Sequence, residues 1–453
     1  MVCHGRTPDR IPVIPRTLGP SRERERNMNA LPIQPFTEAI RDQRERLQAA
    51  RELNRVVAEF YLEGHEAKAH GRPVGWIPPM NGVIELFYAM DIQPVFPENW
   101  SPVCAAFGLA PRNFEVAERM GFSRDLCGYL RNIVGYVYGP MNEPGTPLGG
   151  LPEPDLIISA YGGCVPAMKI LHALERRFPE AKVFTSQLPQ VGYENIRPYH
   201  MDYCVTEMRR LIDWLTRTTG RKLDHDRLRE AVRLSDRACE LWDEIMNYRR
   251  FVPTPISAAE LGVMFVMVTR QGTQVAVDFL TQLRDEVKER AEQGIGMVEE
   301  EKLRLFWDNI PLWYNMGLFN YFEKMGAVAV AETYSAAWSM RLDPDKPIES
   351  LARKSLVSYP MVSCTSVRKR REMVLKACRD YRIDGAVLHS NKSCVPITLG
   401  QMDIKRALED ELGIPSVVID GDHMDEHNFS MAQFQTRADA FMEMLLEKKG
   451  LRS

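Results

Sequence analysis

Two cysteines occupy matching positions in two stretches of this chain. Cys164 ends a segment that starts at Asp155 and continues Leu-Ile-Ile-Ser-Ala-Tyr-Gly-Gly, and Cys394 ends a segment that starts at Asp384 and continues Gly-Ala-Val-Leu-His-Ser-Asn-Lys-Ser. Each cysteine follows an apolar run of β type and precedes a Val-Pro that opens a helical pattern. A thiol at a helix start lies near the positive end of the helix dipole, which favours the metal-binding thiolate. One such cysteine is more often a small buried apolar residue, but the repeated setting predicts a shared metal cluster.

A third ligand for this cluster must come from elsewhere in the chain. None of the nine cysteines forms a Cys-x-x-Cys pair, so any metal site is assembled from distant residues. Cys127 is favoured because it precedes a long loop rich in Gly and Pro, and Cys364, which also precedes a helix, is its competitor. Three thiolates would leave one iron of a four-iron cluster open to water or a substrate oxygen. Four further cysteines are interpreted as packing residues: Cys104, Cys204, Cys239 and Cys378.

Three other side chains are candidates for acid–base catalysis. Glu85 opens an early helix after a strand, His389 lies in the turn before Cys394, and Glu98 is the third. Such catalysis needs a group near the reacting atom with a tuned pKa, and each of the three could equally be structural. The segment 421–427 contains two histidines four residues apart, which could indicate metal ligands, but it is interpreted as a polar loop after a strand. The basic segment 366–371 could hold the phosphates of a coenzyme A nucleotide, or form a solvated or subunit-contacting face.

The elements that must position these residues alternate between strands and helices. This alternation predicts an α/β fold with two flavodoxin-like lobes, each with a parallel sheet, plus helical N-terminal and central segments. Ligands collect at the carboxyl ends of parallel strands, so two cysteines could meet across the cleft between the lobes. Residues 97–154 are expected to be irregular and residues 299–307 helical. The predicted divisions are 1–29, a disordered or non-native extension; 30–72, a helical segment; 73–205, the first α/β lobe; 206–325, a helical insert; and 326–453, the second α/β lobe.

The composition of the chain is ordinary for a globular protein. It has 453 residues, of which 45% are hydrophobic and 26% charged, enough for two or three domains. A net charge of −3 gives no support for nucleic-acid or membrane binding as the primary role. No apolar run reaches the roughly 18 residues of a membrane-spanning helix. The basic N-terminus lacks the apolar core of a signal peptide, so we expect a cytoplasmic protein, with Met28 as an alternative start. No nucleotide-binding motif is present, so no ATP or dinucleotide site is expected in this chain.

Four motifs carry a family resemblance: Asn81-Gly-Val-Ile-Glu85-Leu, Cys127-Gly-Tyr-Leu-Arg131, Gly162-Gly-Cys164 and Ser390-Asn-Lys-Ser-Cys394. They resemble the 2-hydroxyacyl-CoA dehydratase / benzoyl-CoA reductase family, and the similarity runs over most of residues 30–450. The C-terminal third is most similar to the B-type subunit of ATP-dependent benzoyl-CoA reductase. The resemblance implies two α/β lobes with one [4Fe–4S] cluster between them. It also implies that Cys127, Cys164 and Cys394 bind that cluster.

The same resemblance implies a reaction and a set of partners. The partners are a homologous cluster-bearing subunit in a heterodimer, ATP-hydrolysing activator subunits, ferredoxin as the electron donor, and an aryl-CoA or acyl-CoA substrate. The implied reaction is the two-electron dearomatisation of benzoyl-CoA to a cyclohexadiene-carbonyl-CoA by single-electron steps. Two alternatives stay open. One is a subunit of a (R)-2-hydroxyacyl-CoA dehydratase, which eliminates water with a catalytic electron, and the other is a non-catalytic electron-relay subunit.

Overall fold

Two parallel four-stranded sheets form the framework of the chain in a computed structural model, which describes residues 47–79, 82–161, 164–189, 191–357 and 366–451. The strands are β1 (Val74–Trp76), β2 (Gln93–Val95), β3 (Leu156–Tyr161), β4 (Lys182–Gln187), β5 (Leu303–Asp308), β6 (Ala327–Glu332), β7 (Gly385–Asn391) and β8 (Ser416–Gly421). The first sheet has the order β2-β1-β3-β4 and the second has the order β6-β5-β7-β8, with every neighbouring pair parallel. The two sheets share one topology, which confirms the predicted pair of flavodoxin-like lobes.

Helices connect and flank these strands. Around the first sheet they are α1 (Gln48–Ala69), α2 (Val83–Ala89), α3 (Pro97–Ala106), α4 (Ala110–Arg119), α5 (Gly128–Tyr138), α6 (Val165–Lys169), α7 (Leu171–Arg177) and α8 (Pro198–Thr219). In the middle of the chain they are α9 (His225–Tyr248), α10 (Met264–Thr269) and α11 (Gln274–Glu292). Around the second sheet they are α12 (Leu318–Glu323), α13 (Pro347–Val357), α14 (Val367–Asp380), α15 (Val395–Thr398), α16 (Gln401–Leu412) and α17 (Met431–Lys448).

The expected helix over residues 299–307 is wrong. Leu303–Asp308 is strand β5, which lies between β6 and β7 in the second sheet, and every residue in it is buried. Apolar residues dominate a strand that is covered on both faces, and they do so here beside the buried Arg304 and Asp308, so the strand lacks a regular alternation. Such a short apolar run cannot be distinguished from a buried helix by periodicity, and the charged residues before it favoured a helix.

The expected irregular stretch over residues 97–154 is also wrong in part, because it contains helices α3, α4 and α5. Its prolines suggested a loop, yet Pro97 and Pro111 lie in the first turns of α3 and α4. Proline is tolerated there because its missing N–H would have no partner within the helix. The longest part of the stretch without α-helix is the loop between α5 and β3, and a shorter one separates α4 from α5.

Helix α5 crosses α4 at very short range, and a glycine makes this crossing feasible. A Cβ atom at Gly135 would lie 1.7 Å from the backbone oxygen of Asn113, closer than any side chain could approach. Asn113 donates to the side chain of Asn132 on α5 at 2.9 Å, so the two helices are also joined by a buried hydrogen bond. These contacts fix the position of α5, which begins directly after Cys127.

Several expectations concern residues outside the described ranges. They include the predicted extension 1–29, the first part of the helical segment 30–72, and the competitor Cys364. The division of the chain into the five predicted regions stays a prediction. Among the described helices, none combines the length and the apolar character that crossing a bilayer requires.

Candidate functional site

Three cysteines stand directly before three different helices. Cys127 precedes α5, Cys164 precedes α6 and Cys394 precedes α15, and all three are half-buried. Cys164 and Cys394 each lie three residues beyond the end of β3 or β7, which occupy equivalent positions in the two sheets. The repeated setting predicted from the two sequence segments is therefore confirmed in the fold.

The three thiols influence one another electrostatically. Burial raises the pKa of Cys127 well above its ordinary value, and the charges of Cys394 and Cys164 raise it further. Burial raises the pKa of Cys164 to about 11 and that of Cys394 to about 12, and Cys164 adds to the rise at Cys394. Because such effects weaken with distance, three cysteines from distant parts of the sequence lie in one region of the molecule.

The helix starts oppose this rise in thiol pKa. In each case the backbone amide three residues after the cysteine favours the thiolate. These amides belong to Leu130, Ala167 and Ile397. Burial without a counter-charge disfavours a thiolate, whereas a bound metal replaces the thiol proton. Thiolates are the preferred ligands of soft metals, so the three sulfurs could together hold a thiolate-binding metal group.

A single metal ion and a metal cluster require different spacings of their sulfur ligands. No three His, Cys, Asp or Glu side chains among the described residues come close enough to bind one metal ion together. A single ion would hold each sulfur ligand at about 2.3 Å. In an iron–sulfur cluster, by contrast, each cysteine binds a different iron, so the sulfurs stand further apart.

The start of α5 packs directly against the second lobe. The backbone N–H of Gly128 donates to Ser393 Oγ at 3.0 Å, so the residue after Cys127 contacts the residue before Cys394. A Cβ atom at Gly128 would lie only 2.6 Å from Cβ of Met424, in the segment after β8. The absence of a side chain at Gly128 allows the two cysteine-bearing segments to meet.

Arg131, one turn into α5, joins the same two parts of the chain. Its side chain is 1% exposed and forms ion pairs with Asp425 and, at 3.1 Å, with Glu118. Its guanidinium also lies 3.9 Å from the ring centroid of Phe114, a cation–π contact. Both acidic partners are needed to compensate for the burial of this cation.

His423 lies beside Cys127, although the sequence interpretation favoured a polar loop over a ligand role for its segment. Its fully buried ring places Nε2 4.0 Å from Sγ of Cys127 and packs edge-on against Tyr129, with 4.3 Å between ring centroids. Burial lowers the pKa of His423 and so favours the neutral ring. The polar-loop interpretation of the segment 421–427 does not include this role. The only sequence signal is a histidine close behind a strand, at the edge where ligands collect.

Glu98 is the acid–base candidate that lies near the cysteines. Its carboxylate contributes to raising the pKa of all three thiols, and it does the same for the buried phenols of Tyr129 and Tyr334. The two phenol oxygens are 3.4 Å apart, and the Trp313 indole N–H donates to Tyr129 at 2.5 Å. A carboxylate and two phenols therefore share the region of the thiols. The catalytic role of Glu98 stays a prediction.

Glu85 is placed differently, in a buried ion pair between helices. Its Oε1 lies 2.6 Å from Nζ of Lys354 on α13 and accepts from Ser235 on α9 at 2.7 Å. Lys354 in turn donates to Gln271 at 2.6 Å. These contacts tie three helices together and include none of the three cysteines. They favour a structural role for Glu85, whose predicted catalytic role stays untested.

His389 lies on β7, inside the second lobe. Its Nδ1 donates to the carbonyl of Ile310 at 2.7 Å, and the ring is fully buried. Burial lowers the pKa of His389 to about 4, so the ring stays neutral at physiological pH. None of its described contacts reaches a cysteine, so its predicted catalytic role gains no support from its position.

The basic segment 366–371 caps and opens helix α14. Arg370 is buried, and its Nη2 donates to both carboxylate oxygens of Asp308, at 2.7 and 2.9 Å. Lys369 pairs with Glu372 at 3.0 Å and Arg371 with Glu411 at 3.3 Å. Most of this charge is therefore matched within the chain, which favours the alternative of an ordinary helix face over a phosphate site.

A separate cleft of about 670 Å³ lies at the amino ends of β3 and β4. Its lining includes Lys68, Asp155 and Lys182. Because Cys164 follows the carboxyl end of β3, this cleft is at the opposite edge of the sheet. Ligands of parallel α/β folds collect at the carboxyl edge, so the cysteine region is the better candidate.

Comparison with known proteins agrees with this architecture. Residues 82–445 match the family described as "2-hydroxyglutaryl-CoA dehydratase, D-component". The chain belongs to this family. The match spans both sheets almost completely and contains all three cysteines, so the family relationship covers the whole candidate site.

Curated relatives in this family are named for two kinds of reaction on coenzyme A thioesters. The alpha subunit of (R)-phenyllactyl-CoA dehydratase from Clostridium sporogenes is 28% identical over 88% of this chain and 95% of its own length. The B subunit of benzoyl-CoA reductase from Thauera aromatica is 30% identical over 74% of this chain and 79% of its own length. The lactoyl-CoA dehydratase alpha subunit from Anaerotignum propionicum is 26% identical over 84% of this chain and 93% of its own length. The relatives are thus subunits of dehydratases and of a reductase.

Proposed function

We propose that this chain is the iron–sulfur subunit of an enzyme that transfers single electrons to a coenzyme A thioester. The observation that carries this proposal is that Cys127, Cys164 and Cys394 each stand half-buried at a helix start and that the charge of Cys164 acts on both other thiols. Three thiolates are the ligand set for a [4Fe–4S] cluster with one open iron. The family relationship supports the coenzyme A thioester as substrate.

In this proposal the bound cluster supplies low-potential electrons, and the side chains of this chain prepare the site. The three cysteines would hold the cluster, while the contact of Gly128 with Ser393 keeps the two cysteine-bearing segments together. The carboxyl group of Glu98 would hold or deliver a proton near the reacting thioester. The buried aromatic side chains of Tyr129 and Tyr334 exclude water, which strengthens every charge interaction there.

As the specific activity we propose ATP-dependent benzoyl-CoA reduction. The support is the sequence around Cys394 and the 30% identity with the B subunit of a benzoyl-CoA reductase. The reaction adds two electrons and two protons to the aromatic ring and yields a cyclohexadiene-carbonyl-CoA. Ferredoxin would supply the electrons and activator subunits would hydrolyse the ATP, while a homologous cluster-bearing subunit completes the heterodimer.

A dehydratase subunit is the second candidate. It is favoured by the greater coverage of the dehydratase relatives, which reaches 88% of this chain against 74% for the reductase relative. In that reaction one electron is recycled while water leaves a 2-hydroxyacyl-CoA. A third hypothesis is that the chain is an electron-relay subunit and that its partner subunit holds the substrate.

Electron stoichiometry separates these activities. The chain is co-expressed anaerobically with its partner subunits, and electrons and ATP consumed are measured per product formed from benzoyl-CoA and from (R)-phenyllactyl-CoA. A reductase consumes two electrons for each benzoyl-CoA, whereas a dehydratase requires only a priming electron. If neither thioester turns over and neither perturbs the cluster spectrum of this chain, the hypothesis of an electron-relay subunit replaces the reductase and the dehydratase hypotheses.

A further inference from the structure

The imidazole of His423 is directed at the sulfur of Cys127. Nε2 lies 4.0 Å from Sγ, within the range of a hydrogen bond to sulfur. Within the described part of the chain, Nε2 has no other hydrogen-bond partner, and the ring is fully buried. Because a buried ring nitrogen without a partner is costly, the contact with the sulfur accounts for the orientation of this side chain.

The opposite edge of the ring is held by Asn391, the last residue of β7. The Nδ1 atom of His423 lies 3.0 Å from the amide nitrogen and 3.1 Å from the amide oxygen of Asn391. The amide nitrogen of Asn391 also lies 3.4 Å from the side-chain oxygen of Asn309. The ring is therefore positioned from the strand that precedes Cys394, while it reaches towards the cysteine of α5.

The chemistry of a metal-bound cysteine selects one tautomer of this ring. A thiolate sulfur offers only lone pairs, so an approaching ring nitrogen must carry the proton. With the proton on Nε2, Nδ1 becomes an acceptor, and the amide nitrogen of Asn391 can donate to it at 3.0 Å. The arrangement thus satisfies every ring nitrogen when Cys127 is a ligand.

The three cysteines differ in this respect. Across the residues that the structure describes, neither Cys164 nor Cys394 has a side-chain hydrogen-bond partner at sulfur, whereas Cys127 has His423. Hydrogen bonds to the sulfurs are one of the features that set the potential of an iron–sulfur cluster. A donor stabilises the added negative charge of the reduced cluster, and so raises the reduction potential.

We infer that His423 donates a hydrogen bond to the Cys127 sulfur and raises the reduction potential of the cluster. This inference rests on the proposed function, because it requires that the cluster be bound. His423 acts here as a positioning residue on a ligand and does not itself react. The effect of His423 is on the reduction of the cluster, because a cluster of higher reduction potential is easier to reduce. Such a cluster also passes its electron to the substrate with a smaller driving force.

The test is a redox titration monitored by electron paramagnetic resonance on the anaerobically purified complex. The signal of this chain is identified as the one that Cys394→Ser removes. His423→Leu removes the donor, and His423→Gln keeps an N–H at a similar position. His389→Leu is the matched control, because it removes another fully buried histidine of the same lobe that has no contact with a cysteine.

We expect His423→Leu to shift the midpoint potential to more negative values, His423→Gln to restore part of the shift, and His389→Leu to leave the potential unchanged. An unchanged potential in His423→Leu with the cluster present overturns the inference and leaves the proposed function intact. A wild-type complex in which this chain holds no cluster overturns both.

A second measurement covers the case in which His423→Leu loses its cluster. Wild-type complex is prepared with ¹⁵N in histidine only, and pulsed electron paramagnetic resonance records nitrogen couplings to the reduced cluster of this chain. A weak histidine ¹⁵N coupling that disappears in His423→Gln supports the inference. The absence of any histidine coupling in the wild type contradicts it.

Discussion

Glu85 and Glu98 demonstrate how two carboxylates with similar sequence settings come to have different surroundings. Glu85 is fully buried and faces a lysine and a serine, so its charge is compensated within the chain. Glu98 is half-buried and raises the pKa of all three thiols, so its charge acts on the site. At the residue scale, the lysine and serine that face Glu85 favour a structural role for it, whereas Glu98 is the carboxylate that lies near the thiols.

Replacing Glu98 by Gln tests its role as a proton donor or acceptor. Because the amide cannot exchange a proton, we expect turnover to fall by about 10² to 10⁴-fold with the iron content unchanged. Activity and iron are measured on the same preparation. Glu175→Gln, on the exposed face of α7, is the control and should keep wild-type turnover. A fully active Glu98→Gln enzyme would remove Glu98 from the mechanism.

Replacing Lys354 by Met tests the structural role of Glu85. The change leaves the Glu85 carboxylate buried without its cation, which costs about 3–5 kcal/mol of unfolding free energy. Chemical denaturation measures this loss, and the double variant Glu85→Leu/Lys354→Met should recover part of it. If Lys354→Met keeps its stability but loses turnover, Glu85 acts in catalysis and the structural account is wrong.

At the scale of elements, the strand–turn–helix unit is what delivers two of the cysteines. The unit could be predicted from sequence because the apolar run, the turn and the Val-Pro helix start are all local signals. Strand β5 was missed because burial on both faces removes the alternation that marks a strand. The place of His423 beside Cys127 was not predicted because this contact joins residues 296 positions apart, and no local pattern records such a contact.

Gly128 tests whether the start of α5 must pack closely against the second lobe. In Gly128→Ala the new Cβ would lie 2.6 Å from Met424, so the segment after β8 must move. We expect a loss of about 1–3 kcal/mol in stability, together with lower iron content. Gly262→Ala is the matched control, because its new Cβ would meet only the end of a Leu53 side chain at 3.2 Å. Equal iron in the two variants would argue against close packing as a requirement.

At the scale of the whole molecule, the candidate site is built where two lobes of the same topology meet. Cys127 and Cys164 come from the first lobe and Cys394 from the second, while Arg131 links α5 to Asp425 after β8. A site made in this way exists only when both lobes are folded and docked. Breaking a contact between the lobes should therefore lower the metal content as strongly as changing a residue beside a cysteine does.

Arg131 and Arg124 offer a matched pair for testing this dependence. Both pair with Glu118, but the side chain of Arg131 is 1% exposed and that of Arg124 is 82% exposed. Arg131→Met leaves the buried Asp425 without its guanidinium partner, so we expect a loss of about 3–5 kcal/mol in stability and a large loss of iron. Arg124→Met should cost at most about 1 kcal/mol and retain iron. Denaturation midpoints and iron analysis provide the comparison, and similar effects of the two changes would contradict it.

Iron and acid-labile sulfide in the anaerobically purified complex test the central claim most directly. Single changes to Ser at Cys127, Cys164 or Cys394 should each remove the cluster of this chain, which is about half of the iron if the partner subunit keeps its own cluster. Cys378→Ser, in the apolar core of the second lobe, should retain all of it. Wild-type amounts of iron and sulfide in all three site variants would contradict the account.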